Sequence, residues 1–257
     1  EHREYVPGDE IRHLDWKVLG RTDRLYVKQY EEETNVRAML CVDMSKSMDY
    51  RSNPETLTKG DYAATAAAAL AHLLLGQRDA VGLTCFDRAV ARQVPYSTNP
   101  SHMRVLLEAL ASSETRPATD IGRTLHELAE TLPRRGLVVL CSDLFDTMES
   151  TLAGLRHLRH RDHEVVLFHV LDRAELEFPF QALTLFEGLE ASLPLLADPR
   201  ALRTAYLEEL GRFRTEVKQG CSANQVDYVE MITDQPLEVA LTGFLATRAS
   251  RRGARHR

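Results

Sequence analysis

With 257 residues, 44% of them hydrophobic, and a formal net charge of -6, the chain can bury a full core without a disulfide or metal staple. The acidic balance disfavours a general nucleic-acid binder or a protein held on anionic lipid, since both need a clustered basic surface. Four cysteines, Cys41, Cys85, Cys141 and Cys221, lie far apart with no CxxC spacing, which points to a reduced, cytoplasmic setting.

Residues 1–35 form a charged N-terminal segment in which Leu25 to Tyr30 alternates like an edge strand and Glu31-Glu32-Glu33 reads as a solvated turn. The only tryptophan, in Asp15-Trp16, sits among Arg12, His13, Lys17 and Arg21 and suits either an anchor for this segment or a partner contact. The chain opens on Glu1 and not on Met, which leaves room for a preceding anchor.

From residue 36 onward, apolar runs and helical patterns alternate. Val36 to Val42 predicts a buried strand ending at Asp43, followed by a polar loop rich in Ser, Asn and Pro. Thr58 to Gln77 predicts a capped, alanine-rich helix. Its apolar stretch, Ala63 to Gly76, carries His72 and reads as a core helix; neither a membrane span nor a signal peptide is expected. Strands follow at Ala80 to Phe86 and Ala89 to Val94, then helices at Ser101 to Ala111 and Asp120 to Leu132. Further strands at Leu137 to Cys141 and Glu164 to Leu171 flank a helix near Ser150 to Arg161.

His157, His160 and His163 recur at every third position but are interleaved with Arg156, Arg159 and Arg161, so this stretch reads as a solvated basic helix end and not as a metal cluster. Residues 172–198, with Pro179 and Pro194, read as an irregular insertion. A helix from Pro199 to Lys218, a strand from Gln225 to Met231 and a helix from Leu237 to Arg248 complete the domain 36–248, ahead of a basic tail at 249–257. Such alternation predicts an α/β fold, a mainly parallel sheet flanked by helices on both faces.

Sheets of this kind bind ligands beyond the carboxyl ends of their strands, which directs attention to Asp43 and to Ser142-Asp143. Asp43-Met44-Ser45-Lys46-Ser47 has D-x-S-x-S spacing, which sets one carboxylate and two hydroxyls in a tight loop where they can converge on a small ion. The plainer reading is a capped turn, in which the serines and Asp43 bond only to backbone. Thr119-Asp120 before a helix and Asp143 after a strand stand at the same expected end of the sheet, which favours the metal reading.

D-x-S-x-S, a downstream Thr and a strand-terminal Asp resemble the metal-ion-dependent adhesion site of von Willebrand factor A domains. More specifically, Arg3-Glu4-Tyr5-Val6-Pro7-Gly8-Asp9-Glu10-Ile11-Arg12, Leu14-Asp15-Trp16-Lys17 and Arg21-Thr22-Asp23-Arg24-Leu25-Tyr26-Val27-Lys28 resemble the hallmark of the bacterial "domain of unknown function 58" family. Cys141-Ser142-Asp143-Leu144, Glu175-Leu176-Glu177-Phe178-Pro179-Phe180 and Val226-Asp227-Tyr228 extend the likeness over nearly the whole chain. The resemblance implies a von Willebrand A-like, doubly wound fold with an N-terminal extension. It also implies a Mg²⁺ site (or Mn²⁺ or Ca²⁺) made by Asp43, Ser45, Ser47, Thr119 and Asp143.

By the same resemblance the partner is a protein offering an acidic residue, a MoxR-type AAA+ ATPase that this chain serves as adaptor or co-chaperone. Lys46 and Ala118 depart from the small residue and the glycine usual at those places, and a lysine beside the ion would weaken it or help receive an acidic partner. An enzyme is not expected. The alternative is a Mg²⁺-dependent phosphoryl-transfer hydrolase, a phosphatase or nuclease using Asp43. A phosphatase wants a second acid where Ser45 stands; a nuclease would gather Asp43, Asp120 and Asp143 but lacks a basic channel. No Walker-type nucleotide loop occurs, so any ATP dependence belongs to a partner.

Overall fold

Continuous apolar runs become the central strands of a computed structural model that describes residues 2–5, 16–22, 24–28, 36–112, 120–187, 194–243 and 245. The chain divides into two compact units, Glu1–Asn35 and Val36–Arg257. In the first, β1 (His2–Glu4) pairs antiparallel with β2 (Tyr26–Lys28), Arg3 opposite Val27, and α1 (Trp16–Thr22) lies between them in sequence. Of the edge strand expected over Leu25 to Tyr30, Tyr26–Lys28 forms β2, in a two-stranded sheet of its own with β1, while Gln29 and Tyr30 lie outside the described residues; the tryptophan opens a helix. Asp15, the Glu31-Glu32-Glu33 run and the basic tail lie outside the described residues.

The second unit holds a six-stranded sheet. Its strands are β3 (Arg37–Asp43), β4 (Ala80–Phe86), β5 (Val90–Ser97), β6 (Leu137–Ser142), β7 (Glu164–Leu171) and, after a short hairpin described below, β10 (Asp227–Ile232). They lie in the order β10-β7-β6-β3-β4-β5, all parallel except β5, which folds back on β4 as an antiparallel edge. Burial on both faces explains why β3, β4, β6 and β7 read as unbroken apolar runs.

Period-two alternation sends Leu40, Val42, Val139 and Cys141 to one face, against α2 (Lys59–Gly76) and α3 (His102–Ala111). Met39, Cys41, Val138 and Leu140 go to the other, against α4 (Ile121–Thr131), α5 (Met148–His160) and α7 (Pro199–Ala223). The alanine-rich face of α2 (Ala63, Ala66, Ala67, Ala71) is fully buried, which lets the helix lie close on the sheet. All four cysteines are buried and none is in a disulfide. No helix among the described residues is long and apolar enough to cross a membrane.

Three expectations need correction. The stretch 172–198 is not irregular throughout: α6 (Arg173–Glu177) starts from a capping box on Asp172 and Glu175, and β8 (Thr184–Phe186) pairs antiparallel with β9 (Leu195–Ala197). Helix α7 does not stop at Lys218 but runs to Ala223 through Gly220, where a Cβ would lie 2.5 Å from Leu152 Cδ2. There glycine permits helix contact and does not mark a stop. Finally, His160 is exposed at the end of α5 as expected, but His163 is fully buried in the turn leading to β7.

Candidate functional site

Strand β3 delivers Asp43 to the carboxyl edge of the sheet at its centre, between β4 and β6. Beyond it the backbone stays tethered, Met44 N donating to Phe86 O at 2.7 Å, and then tightens into a 3-10 turn over Lys46–Asp49. Met44 and Met48 are buried on the α2 side and pin the loop to the core. The polar residues between them are held as firmly: Asp43 and Ser45 are fully buried and Ser47 nearly so.

Asp43 is oriented from two sides, Oδ1 accepting the Ser45 amide at 2.9 Å and Oδ2 the Ser142 hydroxyl at 2.6 Å. The Ser45 side chain also hydrogen-bonds Asp43, the Ser45 and Ser47 hydroxyls stand 3.0 Å apart, and Ser47 hydrogen-bonds Asp143. An unbroken chain of oxygens therefore runs from Asp43 through both serines to Asp143, the first residue beyond β6. Burial and the neighbouring Asp143 charge push the Asp43 carboxyl up to about 7, so this corner of the site resists negative charge unless a cation stands nearby.

One cation is already there. Lys59, first residue of α2 and 2% exposed, places its ammonium 2.7 Å from Asp143 Oδ2 and 2.7 Å from Glu175 Oε1 on α6. Burial opposes charge on Lys59, but the two carboxylates outweigh it and raise the ammonium above its ordinary range. Burial alone would raise Asp143 too; Lys59, the Ser47 hydroxyl and the Phe145 amide, 3.2 Å from Oδ1, instead hold it below the usual carboxylate range. Lys46 turns away to pair with Asp49 at 2.7 Å and stays 44% exposed, so the lysine that reaches the site is not the one inside the D-x-S-x-S loop.

Behind Asp143, His169 on β7 sets Nε2 3.2 Å from the Asp143 carbonyl and Nδ1 2.9 Å from the Tyr228 hydroxyl. Burial lowers His169 to about 4, leaving a neutral ring whose Nε2–H donates to that carbonyl. In front lies a cleft of about 560 Å³ between the loop after β6 and α7, with Lys59, Asp143 and Glu175 along one side and Phe145, Leu210 and Phe213 among its apolar walls. Phe145, 68% exposed, stands at its rim.

Of the residues named from sequence, Asp43, Ser45, Ser47 and Asp143 meet, and Thr119 lies outside the described residues. Asp120, next to it, caps α4 through the Arg123 amide, and its own amide donates to Asp87 O at the end of β4, the same edge of the sheet. Sequence reasoning missed the Lys59–Glu175 pair. A signal existed: a lysine in the first turn of a helix opposes the macrodipole, so it needs an anionic partner from elsewhere.

The donor set fits a hard cation. Two carboxylates and two hydroxyls, all oxygen, suit Mg²⁺, which keeps water in its remaining positions. Among the described residues no three His, Cys, Asp or Glu side chains cluster as ligands, so a softer metal seeking nitrogen or sulfur finds no such set.

The doubly wound sheet, with one antiparallel edge strand and helices on both faces, has a von Willebrand factor A-like fold. Residues 1–216 match the family model described as "Protein of unknown function DUF58", and the chain belongs to that family. Uncharacterized proteins of Mycobacterium bovis and Mycobacterium tuberculosis are each 30% identical over 262 residues, covering 99% of this chain and 80% of theirs. Among solved structures, the conserved hypothetical protein BatB of Bacteroides thetaiotaomicron aligns over 84% of this chain and 99% of its own (14% identity, TM-score 0.52). An aerotolerance-related membrane protein of Bacteroides fragilis covers 81% and 96% (15% identity, TM-score 0.50). At these identities the likeness is one of fold.

Proposed function

We propose that this chain is a metal-dependent protein-interaction module of the cytoplasm. Its working face is the carboxyl edge of the sheet, where Asp43, Ser45, Ser47 and Asp143 hold one Mg²⁺, with Mn²⁺ or Ca²⁺ as substitutes and with Thr119 as the further ligand that the family resemblance implies. The bound ion supplies an electrophilic position that an acidic side chain of the partner fills. The observation that carries this reading is the continuous oxygen chain from Asp43 through Ser45 and Ser47 to Asp143. Binding is favoured over hydrolysis because Asp43 is fully buried and both its oxygens accept hydrogen bonds, a poor posture for a nucleophile. The four buried cysteines, none of them in a disulfide, support a reducing compartment.

For the partner we propose a MoxR-type AAA+ ATPase, with this chain as adaptor or co-chaperone; that choice rests on the family resemblance in the sequence. Immobilised chain exposed to a MoxR-type ATPase should capture it in millimolar Mg²⁺ and release it in chelator, and Asp43→Asn should lose capture. Capture that is indifferent to chelator would overturn the metal-dependent reading, and no capture in either condition would overturn the choice of ATPase.

A further inference from the structure

A lysine 2% exposed beside a candidate cation site is an unusual neighbour, because its charge repels the ion the site would hold. Lys59 is not there for its helix, whose positive pole it worsens. It is fixed in place: its amide donates to Tyr50 O at 3.1 Å, and a Cβ on Gly60 would lie 3.3 Å from Met48 O. The start of α2 and the D-x-S-x-S loop are therefore packed as one piece. The ammonium takes Oδ2 of Asp143 while the Phe145 amide takes Oδ1, so both oxygens of the second carboxylate already serve protein donors.

We infer that Lys59 is a tethered counter-ion that gates divalent-cation binding at the Asp43–Ser45–Ser47 loop. While it holds Asp143 and Glu175, an incoming ion meets Asp43 and the two serines, whose own bonds are to neutral amides and hydroxyls, but lacks the second carboxylate. Releasing Asp143 from Lys59 gives the site its full strength. Glu175, whose side chain is 25% exposed and lines the cleft, is the arm of this pair that a docking partner reaches first. The inference rests on the metal-dependent reading above but can stand or fall apart from it.

The test is calorimetric titration of Mn²⁺ into chelator-stripped wild type, Lys59→Gln and Lys59→Arg, with thermal melts in the presence and absence of the ion. Lys59→Gln should bind Mn²⁺ about tenfold more tightly or better, because one charge within a few ångströms of a divalent ion shifts its affinity at least that far. Lys59→Arg, which keeps the charge, should match wild type, and the ion should raise the melting temperature most in Lys59→Gln. Equal or weaker Mn²⁺ binding by Lys59→Gln overturns the gate, whether or not wild type binds. Wild type silent and Lys59→Gln binding supports the gate while removing metal dependence from the native chain. Should Lys59→Gln fail to fold, the double variant Lys59→Gln/Glu175→Gln, which deletes the cation with one of its two anions, is read by the same criteria.

Discussion

Leu144 shows how the site is aimed. Its backbone is left-handed, φ 58°, in a residue with a branched side chain, while that side chain is 1% exposed. The turn brings its amide 2.9 Å from Ser142 Oγ and sends Asp143 and Phe145 to the site and the cleft rim. Replacing Leu144 with glycine relieves about 1–2 kcal/mol of backbone strain but removes a buried side chain worth more, so Leu144→Gly should lose about 1–3 kcal/mol in denaturant melts. His163 gives a pH test remote from the metal ligands. Burial, then Arg161, holds it below the ordinary histidine value, so the unfolded chain takes up its proton first as pH falls below about 6.5 and stability drops. His163→Leu should therefore lose less stability than wild type between pH 7 and pH 5, by up to about 1.4 kcal/mol per pH unit, as read from melts at each pH. Identical pH profiles would mean that His163 titrates alike in both states. At this scale the site was half legible: D-x-S-x-S announced Asp43, Ser45 and Ser47, but Lys59 and Glu175 converge only through the fold and leave no local spacing to read.

At the scale of elements, α4 and α5 pack through glycines. A Cβ on Gly122 would lie 1.9 Å from Ser150 Oγ, and one on Gly154 would lie 2.6 Å from Leu125 Cβ. Gly122→Ala should therefore cost about 1–3 kcal/mol through overpacking, measured by urea unfolding, although alanine is the better helix former. A neutral or stabilising result would mean that the helices separate freely. The same packing explains what the sequence hid. Helix α7 passes through Gly220 because Leu152 presses there, whereas glycine read in isolation signals an end. The central strands were legible because sheet burial on both faces imposes apolar runs. By contrast α6, β8 and β9, each three to five residues long, offer too few positions for a period to show.

For the whole molecule, the sheet order places the loops after β3 and β6 side by side, and the cleft beside them continues the site into a surface large enough to receive a partner segment. Phe145 projects at that rim and packs little, so Phe145→Ala should leave stability within about 0.5 kcal/mol while weakening ATPase capture about tenfold or more. Unchanged capture would place the partner elsewhere. The central claim is that the Asp43 loop holds a divalent cation, and calorimetric titration of Mg²⁺ and Mn²⁺ into chelator-stripped protein tests it most directly. Asp43→Asn is the fitting control, since it keeps an oxygen for the Ser45 amide and creates no cavity, while removing the charge. The account predicts saturable binding in wild type that disappears in Asp43→Asn with the fold intact; absence of binding at millimolar ion in wild type, or equal binding in both proteins, would contradict it.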